Sequence, residues 1–282
     1  MNKKGRKQTV AIITHVVMIS IGVVMLYPLI WMLFSSFKTN VEIFGSTALL
    51  PAKPVWDSFI KGWKGIGGVT YTQFYSNTFK MVIPTVLFTV LSCSLVAYGF
   101  ARFRFRGKKI LFMLMISTLM LPNSVLIIPR YILYNKLEWL NSYLPFSMPA
   151  LFACYPFFIY MMVQFFRGIP VALDEAAKID GCNTFQLYWR ILIPLMKPAL
   201  FSAAIFQFIW TWNDFFNSLI YINSVSKFPI VLALRMSLDA TAAANWNQVL
   251  AMSVLSLLPG TILFFSAQKY FVEGVSAGSV KG

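Results

Sequence analysis

Four polar side chains, Gln207, Thr211, Asp214 and Ser218, interrupt an apolar run at intervals of i, i+4, i+7 and i+11. A continuous helix would set residues so spaced on one face. Trp210, Asn213 and Asn217 flank that face. Together they offer amide, carboxylate and hydroxyl groups for hydrogen bonds and an indole for stacking, the chemistry that holds a saccharide. Polar side chains in an apolar helix face a cavity or the interior of a bundle. They also serve as hydrogen-bonding glue between helices. Both readings stand for this face, a substrate path or glue.

Little else has catalytic form. His15, the one histidine, lies inside an apolar run with no second ligand beside it and reads as a packed side chain. Cys93, Cys154 and Cys182 lie far apart and make no CxxC or Cys/His spacing, so neither a metal site nor a disulfide framework is expected. Thr85, Thr89, Ser92 and Cys93 recur at helical spacing and read as packing. A G-x-x-x-x-G-K-[ST] phosphate loop is absent from the sequence, as is the acid–histidine constellation of a hydrolase. The chain is therefore expected to carry no catalytic residue, metal or cofactor, and not to be an enzyme. If ATP drives its work, another polypeptide binds the nucleotide.

A second segment differs in kind. Residues 168–198 are charge-rich and read Gly168-Ile-Pro-Val-Ala-Leu-Asp-Glu-Ala-Ala-Lys-Ile-Asp-Gly181, then Cys182-Asn-Thr-Phe-Gln-Leu-Tyr-Trp-Arg-Ile-Leu-Ile-Pro194. Pro170 suits the first turn of a helix, and Asp174 and Glu175 suit its positive end. Gly181 accepts the left-handed conformation that ends it. Asn183 or Thr184 then caps a second short helix, and Pro194 and Pro198 mark the turn back into an apolar run. The expected result is an elbow of two short helices presenting Ala176 and Ala177, small enough for close approach by another helix or groove. A helix lying in lipid headgroups would carry a basic polar face. Between Leu173 and Arg190, however, three acids stand against two bases, which fits docking to a protein better.

The elements that position these segments follow from composition. Of 282 residues, 58% are hydrophobic and 12% charged, with mean hydropathy +0.69. A soluble domain carries roughly 25% charged residues, so lipid must be the solvent for much of this chain. The net charge of +15 lies in short Lys/Arg clusters at the ends of apolar runs. That is topology control, not a basic module for nucleic acid. Six spans are expected near 10–37, 78–101, 110–129, 146–166, 199–223 and 247–268, each close to the ~20 residues needed to cross the hydrocarbon core. The first is too long for a cleavable signal. Pro122, Pro129, Pro149 and Pro156 interrupt the third and fourth, which suits a bundle that satisfies the freed backbone groups. With both termini inside, 15 of the 24 basic residues fall on the cytoplasmic side, including all five of the 102–109 turn. The expected architecture is a single all-α transmembrane domain over 1–282, with tails at 1–9 and 269–282, outer segments at 38–77, 130–145 and 224–246, and the elbow at 168–198 inside.

Glu175-Ala176-Ala177, three residues, Gly181, nine residues, then Ile191-Leu192-Ile193-Pro194 resembles the EAA signature of ABC importer permeases, E-A-A-x3-G-x9-I-x-L-P, with isoleucine in place of leucine before the proline. The longer form, Ile169-Pro170 to Asp180-Gly181, is similar to the carbohydrate-uptake branch, and so are the six-span layout and the ending Tyr270-Phe271-Val-Glu-Gly274…Lys281-Gly282. The resemblance implies a multi-pass permease of the bacterial cytoplasmic membrane. Its implied partners are a second homologous permease, two ATPase subunits that hold ATP and Mg, an extracytoplasmic sugar-binding protein and a saccharide cargo. It implies that Glu175, Ala176, Ala177, Asp180 and Gly181 couple the bundle to the ATPase, driving alternating access. By position, 224–246 matches a loop that reaches the binding protein's sugar cleft. An ion-gradient-driven secondary transporter is the competing class. It needs several intramembrane ionisable groups for a relay, and Asp214 stands nearly alone.

Overall fold

A computed structural model describes residues 3–239 and 245–277. Met1 and Asn2, the centre of the 224–246 segment, and the final Gly278-to-Gly282 stretch of the C-terminal resemblance lie outside the described residues. Among those described, regular structure is helical, with one isolated bridge between Ile66 and Val69.

The chain forms two compact units. The first joins Met1–Tyr71 to Leu234–Leu257. It holds α1 (Lys3–Ser35), α2 (Asn40–Gly45) and α3 (Asp57–Trp63). Its connections are tied by specific bonds: the buried Lys38 ammonium donates to Ala48 O, Ser58 Oγ donates to Ser36 O, and Val55 N donates to Phe37 O at 2.8 Å. Gly65 is required in the turn that follows α3: its φ is +83°, and a Cβ there would lie 1.8 Å from Val69 O. This turn borders a cleft of about 180 Å³ reached also by Tyr71, Ser237 and Gln248.

The second unit, Thr72–Ala233 with Leu258–Gly282, carries both segments singled out above. In order come α4 (Tyr71–Arg102), α5 (Lys108–Ser117), α6 (Asn123–Lys136), α7 (Leu144–Leu151), α8 (Pro156–Gly168), α9 (Ala172–Ile179) and α10 (Thr184–Gln186). A π-helical stretch, Leu187–Leu192, leads to α11 (Ile193–Leu195), α12 (Lys197–Trp212), α13 (Phe215–Tyr221), α14 (Ile230–Asp239) and α15 (Trp246–Ala277), the last two shared with the first unit. Its core joins Cys93, Ala97 and Tyr98 of α4 to Phe158, Met162 and Phe166 of α8, and both to Ala177, Tyr188 and Leu192 of the elbow.

Among the described residues, four helical stretches are long and apolar enough to cross a membrane: Ala11–Ser35, Tyr71–Arg102, Leu144–Gly168 and Trp246–Ser266. Two bent pairs raise the number to six if each is one span: Lys108–Met120 with Asn123–Lys136, at 105°, and Thr184–Leu195 with Lys197–Trp212, at 75°. The third expected span, 110–129, is thus not a straight rod. Leu121, held extended at ψ 121° ahead of Pro122, supplies the bend, because a residue before proline is driven out of the helical region. The fifth, 199–223, is broken between Trp212 and Phe215.

Candidate functional site

The elbow after α8 is built from the backbone outward. Pro170 O accepts from Leu173 N at 3.2 Å just ahead of α9. At the far end Cys182 N donates to Ala177 O at 2.9 Å and Gly181 N to Lys178 O at 3.1 Å, around Gly181 at φ +82°. This pair of bonds is the Schellman arrangement, and the left-handed residue it needs is the glycine the sequence supplies. Asn183 then opens α10 with a capping box: its Oδ1 accepts from Gln186 N at 2.9 Å, and Gln186 Oε1 accepts from Asn183 N at 2.9 Å. Of the two capping residues open from sequence, Asn183 is the one used.

Which side of α9 faces the bundle is decided by two residues a turn apart. Asp174 (6% exposed) and Ala177 (3%) point inward. Glu175, Ala176, Lys178, Asp180 and Gly181 face outward. The expectation that Ala176 and Ala177 are presented together is corrected here: 3.6 residues per turn part neighbours by about 100°, and Ala177 joins the core while Ala176 stays on the open face. Large apolar groups share that open side of the elbow, Ile179 at 87% and Phe185 at 68% exposure among them.

Residues missed in the sequence hold the elbow down. Arg102, in the last turn of α4, brings Nε to 2.8 Å from Asp174 Oδ2, with both side chains less than a tenth exposed. This is an ion pair without an aligned hydrogen bond. The aligned bond of the guanidinium runs from Nη2 to Ile169 O at 2.9 Å. One side chain thus joins the ends of α4 and α8 to the first turn of α9. Ser94 Oγ and Tyr188 OH lie 2.7 Å apart, both buried, and Tyr98 OH donates to Thr184 O at 3.3 Å.

The polar group on α12 and α13 is divided. Gln207 and Thr211 are buried and bond each other, Nε2 to Oγ1 at 2.8 Å. The single face expected across Gln207, Thr211, Asp214 and Ser218 does not form, because α12 stops at Trp212. Asp214 instead caps α13: its Oδ1 accepts from Asn217 N at 3.1 Å, and both its oxygens accept from Asn217 Nδ2 at 3.0 and 2.9 Å. Asn213 Nδ2 folds back onto Ile209 O at 2.9 Å. Trp210 is half exposed, and its ring packs 5.2 Å from those of Phe157 and Phe158. Ser218 is buried. Gln207 and Thr211 therefore form one pair, Asp214 and Asn217 another, with Trp210 and Asn213 on the more open side.

A helical chain with several membrane-length apolar stretches and a structured elbow between two of them has the form of a multi-pass transport subunit. Residues 90–277 match the family of binding-protein-dependent transport system inner membrane components, and the chain belongs to that family. It is 34% identical, over 91% of its length and 84% of the relative's, to a probable ABC transporter permease, YurM, of Bacillus subtilis. It is 32% identical, over 93% of both chains, to the arabinooligosaccharides transport system permease protein AraQ of Halalkalibacterium halodurans. Its fold is similar, at a TM-score of 0.83 and 23% identity over 96% of this chain and 99% of the other, to a chain in the crystal structure of a bacterial ABC transporter involved in import of the acidic polysaccharide alginate.

Proposed function

We propose that this chain is a membrane subunit of an ATP-driven saccharide importer, with both termini cytoplasmic, and that its elbow is the contact through which a separate ATPase moves it. The relative named for arabinooligosaccharides and the carbohydrate form of the EAA segment support the cargo class. One observation carries the coupling reading. The elbow is anchored inward by Asp174 and Ala177 and capped at both of its joints, yet it leaves Ile179 and Phe185 exposed beside Glu175, Ala176, Asp180 and Gly181. A rigid knob with an apolar tip and mixed charges seats in a protein groove. In this reading two ATPase subunits hold ATP and Mg, a second homologous permease completes the pathway, and an extracytoplasmic binding protein delivers the sugar. Closure of the ATPase pair pushes the elbow, and rigid-body motion of the bundle switches access. Gln207, Trp210, Thr211, Asn213, Asp214 and Asn217 are the chain's contribution to the substrate path, with Trp210 and Asn213 the most accessible of them.

Asp214 argues against the ion-gradient alternative, since both of its oxygens are engaged by Asn217. The test is co-purification. Deleting 174–181, or replacing Ile179→Asp, leaves the chain in the membrane but removes the ATPase from the purified complex and abolishes ATP-dependent uptake. Full uptake by either variant sinks the coupling claim.

A further inference from the structure

The polar side chains on the last two turns of α4 have no part in the function proposed so far. Ser94, Tyr98 and Arg102 recur at i, i+4 and i+8, so they form one stripe on one helix face. Each reaches a different part of the elbow. Ser94 meets Tyr188 in the π-helical stretch at 2.7 Å, Tyr98 meets Thr184 O at the start of α10 at 3.3 Å, and Arg102 meets Asp174 in α9 at 2.8 Å. The Tyr98 ring also lies 5.1 Å from that of Tyr188 and 5.8 Å from that of Phe166. By covalent connection the elbow leads into α12, but through a π-helical stretch and a 75° bend between Leu195 and Lys197. A π-helical stretch is a weak strut, because its hydrogen bonds are out of register with the flanking turns.

From this contrast we infer that α4, not the covalent path into α12, is the rod that carries displacement of the elbow into the bundle, with Ser94, Tyr98 and Arg102 as the positioning residues that fasten it. The inference rests on the coupling reading above and deepens it. Arg102 is the strongest of the three fastenings, since its planar fork spans Asp174 and Ile169 O at once and both charges are withdrawn from water. A lysine keeps the charge but lacks the rigid fork that matches both partners at once.

The experiment uses the whole transporter in proteoliposomes: this chain, its partner permease, the ATPase pair and the binding protein. ATP hydrolysis and saccharide uptake are measured together for Arg102→Lys, Tyr98→Phe and Ser94→Ala. All three are expected to keep the ATPase bound and hydrolysing. Sugar transported per ATP hydrolysed falls about tenfold for Arg102→Lys, within the range for couplings between sites, and by smaller factors for the two hydroxyl deletions. A merely structural role lowers uptake and hydrolysis in proportion and leaves their ratio unmoved, which overturns the inference, as does a wild-type ratio in all three. Tyr98→Phe and Ser94→Ala alter one buried hydroxyl each, so they decide the matter even if Arg102→Lys does not assemble. Loss of the ATPase from these variants assigns the stripe to docking and also overturns it. Failure of the coupling reading itself is seen separately, as an ATPase that does not co-purify with the unaltered chain.

Discussion

Replacing Gly181 tests whether the elbow depends on backbone conformation or on space. The residue sits at φ +82°, and a Cβ built on it meets nothing within 4 Å. Room is therefore not what the glycine provides. An L-residue in the left-handed region costs about 1–2 kcal/mol, and asparagine less because its side chain bonds locally. Valine, β-branched, is the worst fit there. The two bonds at stake, Cys182 N to Ala177 O and Gly181 N to Lys178 O, close α9. Opening them by 1–2 kcal/mol raises the open population about 5–30-fold. Hydrogen exchange of the peptide spanning α9, measured on the purified chain in detergent, reads this directly. The expected order of exchange is wild type, then Gly181→Asn, Gly181→Ala and Gly181→Val, with alanine faster than wild type by the factor above. Asparagine is larger than alanine, so an order that follows side-chain size, with Gly181→Asn faster than Gly181→Ala, refutes the conformational argument. Equal rates in all four refute it as well. Uptake by the assembled importer is expected to fall in the same order.

Two further outcomes follow from the same geometry. Ala177→Leu forces a larger side chain into a buried core position and lowers the stability of the purified chain by about 1–3 kcal/mol, seen as a reduced Tm; Ala176→Leu, on the open face, leaves Tm unchanged but weakens ATPase co-purification. Asp214→Asn preserves a side-chain acceptor for Asn217 N, and asparagine caps as well as aspartate, so ATP-driven uptake persists; abolition of uptake by this one-atom change is the result an ion relay through Asp214 demands.

What was legible in the sequence divides along a physical line. Local rules located the elbow: Gly181 ends α9 and Asn183 opens α10, because caps depend on residues within one turn of each other. Apolar length marked the spans, and Pro122 and Pro156 marked interruptions. The angle at Pro122 was not legible, since proline dictates a break but not the packing that sets its direction. Arg102 was hidden by its neighbours, for a basic turn from 102 to 109 reads as topology control, and nothing in the chain's order says that one of those arginines faces a carboxylate 72 positions away. The polar face of the fifth span fails for a related reason. A helical register is an inference from spacing, and it holds only while the helix continues. Asp214 is a strong N-cap, so the residue that made the face look continuous is the one that ends it. The break also takes Trp210 and Asn213 off a common helix axis with Ser218, so the end of one helix meets the start of another there. The junction is itself bonded, for Asp214 N donates to Thr211 O at 3.3 Å and Phe215 N to Asn213 O at 2.8 Å, so any re-aiming of α13 against α12 has to give up those two bonds.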